Sequence, residues 1–441
     1  MITFGEWCWG TSFYHNGSHY GFLFFRCPTS FYNRPILFNT LNSAIVILPA
    51  EQVNQIPQMD KKDLCELEDM GFFLTEKEVD QKIKDQLNAL APKMFNVIIE
   101  MTTACNFRCK YCYQNDWEKE KTISLDTINS CLEYIKNCIL LKGFKIVGVS
   151  FFGGEPLLVK EKIYYTYNKI KEVCTKYGVK LIAEVTSNGY FLNPDFLEHF
   201  DQLNFLTTLS PQKDHDYKRI LVSGDPSYDV VFQNILNCKD LFDSKKYLLG
   251  IRYNVDEKNI NEFGAFLQLL NFYGIHAKVT TSYTYEHSIN SYYNLLTFDE
   301  YTSWNSTKAI KELIQHGFQV YHVPKASTTI CDGYYPYSIK VFADGALGLC
   351  NASVDSSMIR GKIQDICNNI DNIVSIFPEK GRKNIMNKWC MSCPEKCLCG
   401  GIKFCRQHSM CEYNEINVNM FLKTYIDCIK QGAEQQFVWN R

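Results

Sequence analysis

The densest chemical signal in the sequence is a run of three cysteines. It reads Thr103-Ala104-Cys105-Asn106-Phe107-Arg108-Cys109-Lys110-Tyr111-Cys112. Three thiolates in one short loop can hold three irons of a cubane. The fourth iron then lacks a protein ligand. An open iron can be chelated by the amino and carboxylate groups of a small molecule, and the cluster can then donate an electron directly into that molecule. Zinc is the plainer reading, but a closed zinc site needs four ligands and favours Cys-x2-Cys pairs. No fourth ligand lies nearby, and the sequence has no His between His19 and His199.

The chain carries 20 cysteines in 441 residues. Seven of them are Cys390, Cys393, Cys397, Cys399, Cys405, Cys411 and Cys428. No basic region followed by an apolar stretch opens the chain, so no signal peptide is expected and the expected location is cytoplasmic. In a reducing compartment, cysteines more often bind metal or do chemistry than form disulfides. The solitary Cys8, Cys27, Cys65, Cys131, Cys138, Cys174, Cys238 and Cys367 are expected as small buried apolar residues.

The elements that must position these residues follow from the hydrophobic pattern. Strand-like runs fall at Asn96–Met101, Val147–Phe152, Leu181–Thr186, Phe205–Leu209, Leu248–Val255 and Ala277–Thr280. Helical periodicity falls between them, at Ile123–Ile139, Lys162–Tyr177, Pro194–Phe200, Tyr228–Phe242 and Ile260–Tyr273. Such alternation predicts parallel strands with crossover helices. Six units are too few for a closed eight-stranded barrel. The expected fold is α/β: a partial (β/α)6 barrel over 93–310, a small N-terminal α/β module over 1–92 and a Cys-rich extension over 311–441. In the module, Tyr20–Arg26 and Ile45–Leu48 read as strands, and Lys61–Met70 and Lys77–Leu90 as helices. In the extension, Val418–Gln431 reads as an amphipathic helix. The triplet follows the first strand, at the end of the sheet where such folds place their sites.

The spacing Cys-x3-Cys-x2-Cys, with Tyr111 before the last cysteine, resembles the radical S-adenosylmethionine (SAM) superfamily. Gly153-Gly154-Glu155-Pro156 after the second strand resembles its GGEP motif. Thr186-Ser187-Asn188-Gly189 resembles its S/T-N-G element. His215-Asp216-x2-Arg219 and the segment from Arg252 to Ile260 resemble further family elements. The resemblance implies a [4Fe–4S] cluster on Cys105, Cys109 and Cys112. It makes Tyr111, Gly153, Gly154, Glu155 and Pro156 cofactor-binding, with Ser187, Asn188, Thr207 and Arg252 as candidates for ribose and carboxylate contacts. One departure stands out. Relatives carry S-x-D-G-P after the fourth strand, whereas this chain has Thr207-Thr208-Leu209-Ser210-Pro211.

The C-terminal cysteines resemble the SPASM extension of radical SAM peptide maturases, which implies two auxiliary [4Fe–4S] clusters and three clusters in all. By position, Cys390, Cys393, Cys399 and Cys428 would hold one auxiliary cluster. Cys331, Cys350 and Cys405 would hold the other, with Cys411 as candidate fourth ligand. Five residues, where relatives have three, separate Cys399 from Cys405, and Cys397 is an extra thiol.

The resemblance implies an enzyme that makes a 5′-deoxyadenosyl radical from SAM and modifies a ribosomally made precursor peptide. Thioether bridging, carbon–carbon crosslinking and epimerisation all fit. The expected partners are that peptide and an external electron donor such as flavodoxin or ferredoxin. Residues 1–92 are a candidate leader-docking module, with Phe22–Phe25 suited to strand addition. A second reading within the family is the anaerobic sulfatase maturase. There an acid follows the Cys of the G-x4-C element, and here Asn351 stands in its place, an amide that cannot accept a proton usefully. A reading from another class is a zinc-stabilised non-enzymatic binding protein. Net charge of −2 and the lack of a dense Lys/Arg run argue against nucleic acid. No apolar run approaches the ~20 residues of a bilayer span, so no membrane is expected.

Overall fold

A computed structural model describes residues 12–15, 18–22, 24–26, 36–39, 44–47, 61–74, 81, 94–114, 121–244, 246–284, 296–321, 323–324, 335–350, 358–381 and 417–439. Its centre is a nine-stranded sheet. In chain order the strands are β1 (Met94–Thr102), β2 (Ile146–Gly153), β3 (Lys180–Thr186), β4 (Leu203–Thr208), β5 (Tyr247–Val255) and β6 (Lys278–Tyr283), then β7 (Ile339–Val341), β8 (Ala346–Gly348) and β9 (Ile359–Lys362). The spatial order is β6-β5-β4-β3-β2-β1-β7-β8-β9. Strands β1 to β6 pair parallel with their neighbours. These are the six units that the alternating pattern predicts. Strand β1 is largely buried, with Phe95, Val97, Ile99 and Met101 forming an apolar face and Asn96, Glu100 and Thr102 on the other.

Helices α1 (Leu125–Lys142), α2 (Lys160–Lys176), α3 (Pro194–Glu198), α4 (Gln212–Lys218), α5 (Tyr228–Asn237) and α6 (Phe263–Phe272) fill the crossovers. Helix α1 starts because the Ser124 side chain accepts from the Thr127 N–H. It stops at Gly143, whose φ of 69° closes the helix in a left-handed turn. Its buried residues Ile128, Cys131, Ile135 and Cys138 recur at helical spacing. The pattern over Tyr228–Phe242 is interrupted at Cys238, which separates α5 from a short helix at Lys239–Asp243.

The extension does not stand apart. Strand β7 pairs parallel with β1 on the side away from β2, with Ile339 opposite Val97 and Val341 opposite Ile99. Strands β8 and β9 continue antiparallel from it. After β6 come α7 (Phe298–Asn305) and α8 (Lys308–Gln315), and near the C-terminus α9 (Val418–Lys430). The Asn417 N–H donates to Ser306 Oγ at 2.7 Å, and Gln436 Nε2 donates to the Ile314 carbonyl at 3.1 Å. A boundary at residue 310 therefore cuts through α8 and through the contacts that hold α9.

In the N-terminal region, Tyr20–Arg26 is not one strand. Ser18–Phe22 lies between Ser12–His15 and Phe73–Leu74 in one small sheet. Phe24–Arg26 pairs with Ile36–Asn39 in another. The helix read at Lys61–Met70 is present as Lys61–Asp69. The reading of Lys77–Leu90 lies outside the described residues, apart from residue 81.

Candidate active site

The cysteine loop begins where β1 ends and is tied down by the loop after β2. The Gly154 N–H donates to the Thr102 carbonyl, and the Glu155 N–H to the Ala104 carbonyl, both at 2.8 Å. A Cβ at Gly154 would lie 2.3 Å from the Ala104 oxygen, and one at Gly153 would lie 2.3 Å from the Thr102 oxygen. Only glycine permits this approach. The Gly-Gly pair thus holds the cysteine loop against the sheet, and Pro156 starts a buried helical turn behind it.

Glu155 is fully buried. Its Oε1 accepts from the Leu157 N–H and from Ser187 Oγ, each at 2.9 Å, and its Oε2 accepts from the Asn188 N–H at 2.7 Å. The donors from Ser187 and Asn188 tie this carboxylate to the loop after β3. Burial pushes its carboxyl up to about 7, and the same three donors oppose that rise. From the positioned loop, Asn188 Nδ2 donates to Asn106 Oδ1 at 2.8 Å and lies 4.0 Å from Cys105 Sγ.

Arg219 sits beneath the triplet. A short strand Phe107–Cys109 pairs antiparallel with Arg219–Leu221. The guanidinium donates to the Asn188 carbonyl at 3.3 Å and lies 5.5 Å from the centre of the Phe107 ring. Burial pushes the Cys109 thiol up to about 12 and the Cys105 thiol upward. The Arg219 charge lowers both. Burial also pushes the Tyr111 phenol up to about 12, again opposed by Arg219. Buried thiols of this kind lose their protons when they bind metal.

Behind Arg219 lies a buried ion triad that sequence reasoning missed. Lys218 Nζ stands 2.5 Å from Asp214 Oδ1 and 2.5 Å from Asp256 Oδ2. Asn259 Nδ2 donates to Asp214 Oδ2 at 3.0 Å and to the Asn254 carbonyl at 2.8 Å. The triad joins α4 to the end of β5. His215, on the same helix, is fully buried, and among the described residues neither ring nitrogen has a hydrogen-bond partner. Burial, then the Arg219 and Lys218 charges, keeps it neutral. A second missed pair is Glu100 on β1 and Lys340 on β7. Burial raises the Glu100 carboxyl and pushes the Lys340 amine down to about 8. Glu100 was legible as the one charge in the run Met94–Thr102.

The inner face of the sheet encloses two adjoining cavities. One of about 340 Å³ is lined by Asn96, Ser150 and Phe152, and one of about 860 Å³ by Arg252, Lys278 and Tyr321. Glu184 and Asn204 border both. Arg252 lines the larger cavity, and Thr207 lines neither. Thr207 is buried, and its Oγ1 would lie 3.2 Å from a Cβ on Gly189, in the loop after β3. Alternation along β4 turns it away from the cavity that Arg252 lines.

Cys350 follows β8 and is half-buried. Its charge and that of Cys112 both act on Tyr113, so it stands on the triplet's side of the sheet. Cys428 is buried on α9. Cys331, Cys390, Cys393, Cys397, Cys399, Cys405 and Cys411 lie outside the described residues. Cys131, Cys138, Cys174, Cys238 and Cys367 are buried as expected, but Cys65 is exposed. It lies on a helix of nine residues, too short for every position to face a core. Cys8 and Cys27 lie outside the described residues. Among those residues, no helix is long and apolar enough to cross a membrane.

Residues 99–270 match the radical SAM superfamily. The radical SAM cyclopropyl synthase TigE of Paramaledivibacter caminithermalis is 23% identical over 38% of this chain and 40% of its own length. A cysteine-type anaerobic sulfatase-maturating enzyme of Clostridium novyi is 26% identical over 32% of this chain and 40% of its own. The chain thus spans about 40% of the length of these curated relatives. Among solved structures, anSMEcpe with bound AdoMet superposes with a TM-score of 0.61 at 16% identity, covering 78% of this chain and 96% of that one. The same protein with AdoMet and the Kp18Cys peptide gives a TM-score of 0.59 at 15% identity, with 78% and 99% covered. These likenesses establish the fold, and the superfamily match overturns the reading of a non-enzymatic zinc protein. With its cysteine loop, Gly-Gly-Glu-Pro turn and six-stranded parallel sheet in register, the chain carries a radical SAM domain over residues 99–270, a match that implies SAM and a [4Fe–4S] cluster.

Proposed function

We propose that this enzyme is a peptide maturase, acting on a ribosomally made precursor to form a thioether or carbon–carbon crosslink or to epimerise a residue. The observation that carries the reading is the cysteine loop at the end of a sheet whose inner face lines two adjoining cavities. The fold likeness to a protein solved with both AdoMet and a peptide supports a peptide as occupant.

The donor set fits the expected groups. Cys105, Cys109 and Cys112 lie on one loop near enough that their charges act on one another, and three such thiols suit three irons of a cubane. Cys105, Cys109 and Cys112 would hold it. With SAM bound, the pair supplies reductive cleavage and hydrogen abstraction, chemistry that side chains lack. The chain's own residues do the rest. Gly153 and Gly154 fix the loop, Glu155 fixes Ser187 and Asn188 beside Cys105, and Arg219 balances the thiolate charge. Arg252 presents a cation to the cavity, suited to a carboxylate. Cys331, Cys350, Cys390, Cys393, Cys399, Cys405, Cys411 and Cys428 are proposed as ligands of two auxiliary clusters.

Residues 1–92 are proposed to dock the peptide leader. Support comes from Phe24–Arg26, which pairs on one side only among the described residues. A leader strand could add to the other side. Ser18–Phe22 is flanked on both sides and does not offer an edge.

Anaerobically prepared enzyme, SAM and candidate precursor peptides test this directly by mass spectrometry. The expected product has lost a hydrogen pair, or has taken up solvent deuterium at one Cα. Charge or proline substitutions in Phe24–Arg26 should weaken peptide modification and spare uncoupled SAM cleavage. The second reading, sulfatase maturation, is favoured by the similarity to the Clostridium novyi enzyme and opposed by Asn351. Conversion of a sulfatase peptide to formylglycine would establish it and displace the first.

A further inference from the structure

Reduction of the cluster needs an electron from outside the chain, and the surface over the triplet carries a group of lysines around one tyrosine. Lys110 lies between Cys109 and Cys112 in sequence. Its N–H donates to the Lys218 carbonyl at 2.9 Å, which clamps the loop to the end of α4. Its ammonium lies 3.4 Å from the centre of the Tyr217 ring. Lys258 places a second ammonium 4.1 Å from the same ring. Tyr217 is 43% exposed, and Lys258 and Lys213 are exposed as well. Lys213 sits one turn before Tyr217 on α4, so the two share a face. Among the described residues, none of these three lysines takes part in an ion pair, whereas Lys218 beneath them pairs with Asp214 and Asp256. The chain as a whole carries −2, so this positive field is local.

Two ammoniums on one exposed ring, unneutralised and directly over a cluster loop, form a surface that an acidic protein would complement. We propose that the Lys110–Tyr217–Lys258 patch, with Lys213, docks an acidic one-electron carrier protein that reduces the cluster of Cys105, Cys109 and Cys112. The step balances simply. The reduced carrier loses one electron, the oxidised cluster gains it, and no bond forms or breaks. The Cys109–Cys112 backbone lies under the patch, which gives the electron a short covalent approach. Steering by surface charge speeds encounter without needing a tight complex, as suits a carrier that must leave after each transfer. The proposal rests on the radical SAM domain, not on the identity of the peptide.

The test uses the full-length, cluster-loaded enzyme and reads 5′-deoxyadenosine. Lys213→Glu with Lys258→Glu is compared with wild type, using reduced flavodoxin as carrier and dithionite as a small-molecule reductant. The flavodoxin dissociation constant, read by direct titration binding, and its concentration for half-maximal rate should each rise about tenfold in the variant at low salt, and the gap should narrow at about 0.5 M salt. The dithionite-driven rate should stay unchanged, which also shows that the variant is folded. The double Lys→Arg variant should behave as wild type. Equal flavodoxin dependence in wild type and the charge-reversed variant would overturn the proposal. So would a raised peptide KM under dithionite, which would assign the patch to an acidic peptide instead. A wild type inert with both reductants would sink the superfamily chemistry and this docking role together.

Discussion

Glu155 keeps a carboxylate in a closed position, where three donors reach it and water does not. Such a group records the cost of its burial in its titration. Its carboxyl rises from an ordinary 4.5 to about 7 on folding. Between those values the folded chain holds a proton that the unfolded chain has released. Stability therefore falls as pH rises through this window, and the contribution is fully present only below about 4.5. Glu155→Gln removes the titration. Anaerobic denaturation of both proteins should show wild type losing stability relative to the variant from pH 4.5 to about 7. Curves that stay parallel across that range would mean that Glu155 is solvated. The substitution should also slow SAM cleavage, because Ser187 and Asn188 donate to different oxygens of Glu155 and an amide offers only one acceptor atom.

Helix α4 and the end of β5 are joined through Lys218, Asp214 and Asp256, and both elements border the cysteine loop. Lys218→Met leaves two buried carboxylates without their cation. It should cost about 3–5 kcal/mol in denaturant unfolding. Adding Asp214→Asn and Asp256→Asn should recover most of that loss. No recovery would mean that the carboxylates are not the source of the cost. Elements differ in how legible they are. Strands β1 to β6 and their helices show in the sequence because each is long enough to display a period, as in Ile128, Cys131, Ile135 and Cys138 on α1. Strands β7 to β9 do not, since three or four residues among glycines and cysteines show no period. Tyr20–Arg26 looks continuous because apolar and aromatic residues run through it, yet its two halves pair in different sheets. The triplet and the Gly-Gly-Glu-Pro turn are readable as motifs because their spacing is local. Lys218 is not, because its partner Asp256 is remote in sequence. Thr207 faces away from the cavity that Arg252 lines, because one register step along a strand exchanges its two faces.

Across the whole molecule, the C-terminal region extends the barrel sheet through β7 and returns as α9 against α8. Cys350 thereby comes to the triplet's side, while Cys428 is held in the core. If both auxiliary sites fill, anaerobically reconstituted protein should carry about 12 irons per chain. Iron near 4 with stoichiometric zinc would make the C-terminal cysteines structural. The account as a whole turns on the triplet. Its most direct test is the yield of 5′-deoxyadenosine from SAM under dithionite, for wild type and for the protein with Cys105, Cys109 and Cys112 all changed to Ala. The wild type should form 5′-deoxyadenosine and the variant none, while the variant keeps its auxiliary iron. Cleavage of SAM by the triple variant would contradict the assignment on which every other step depends.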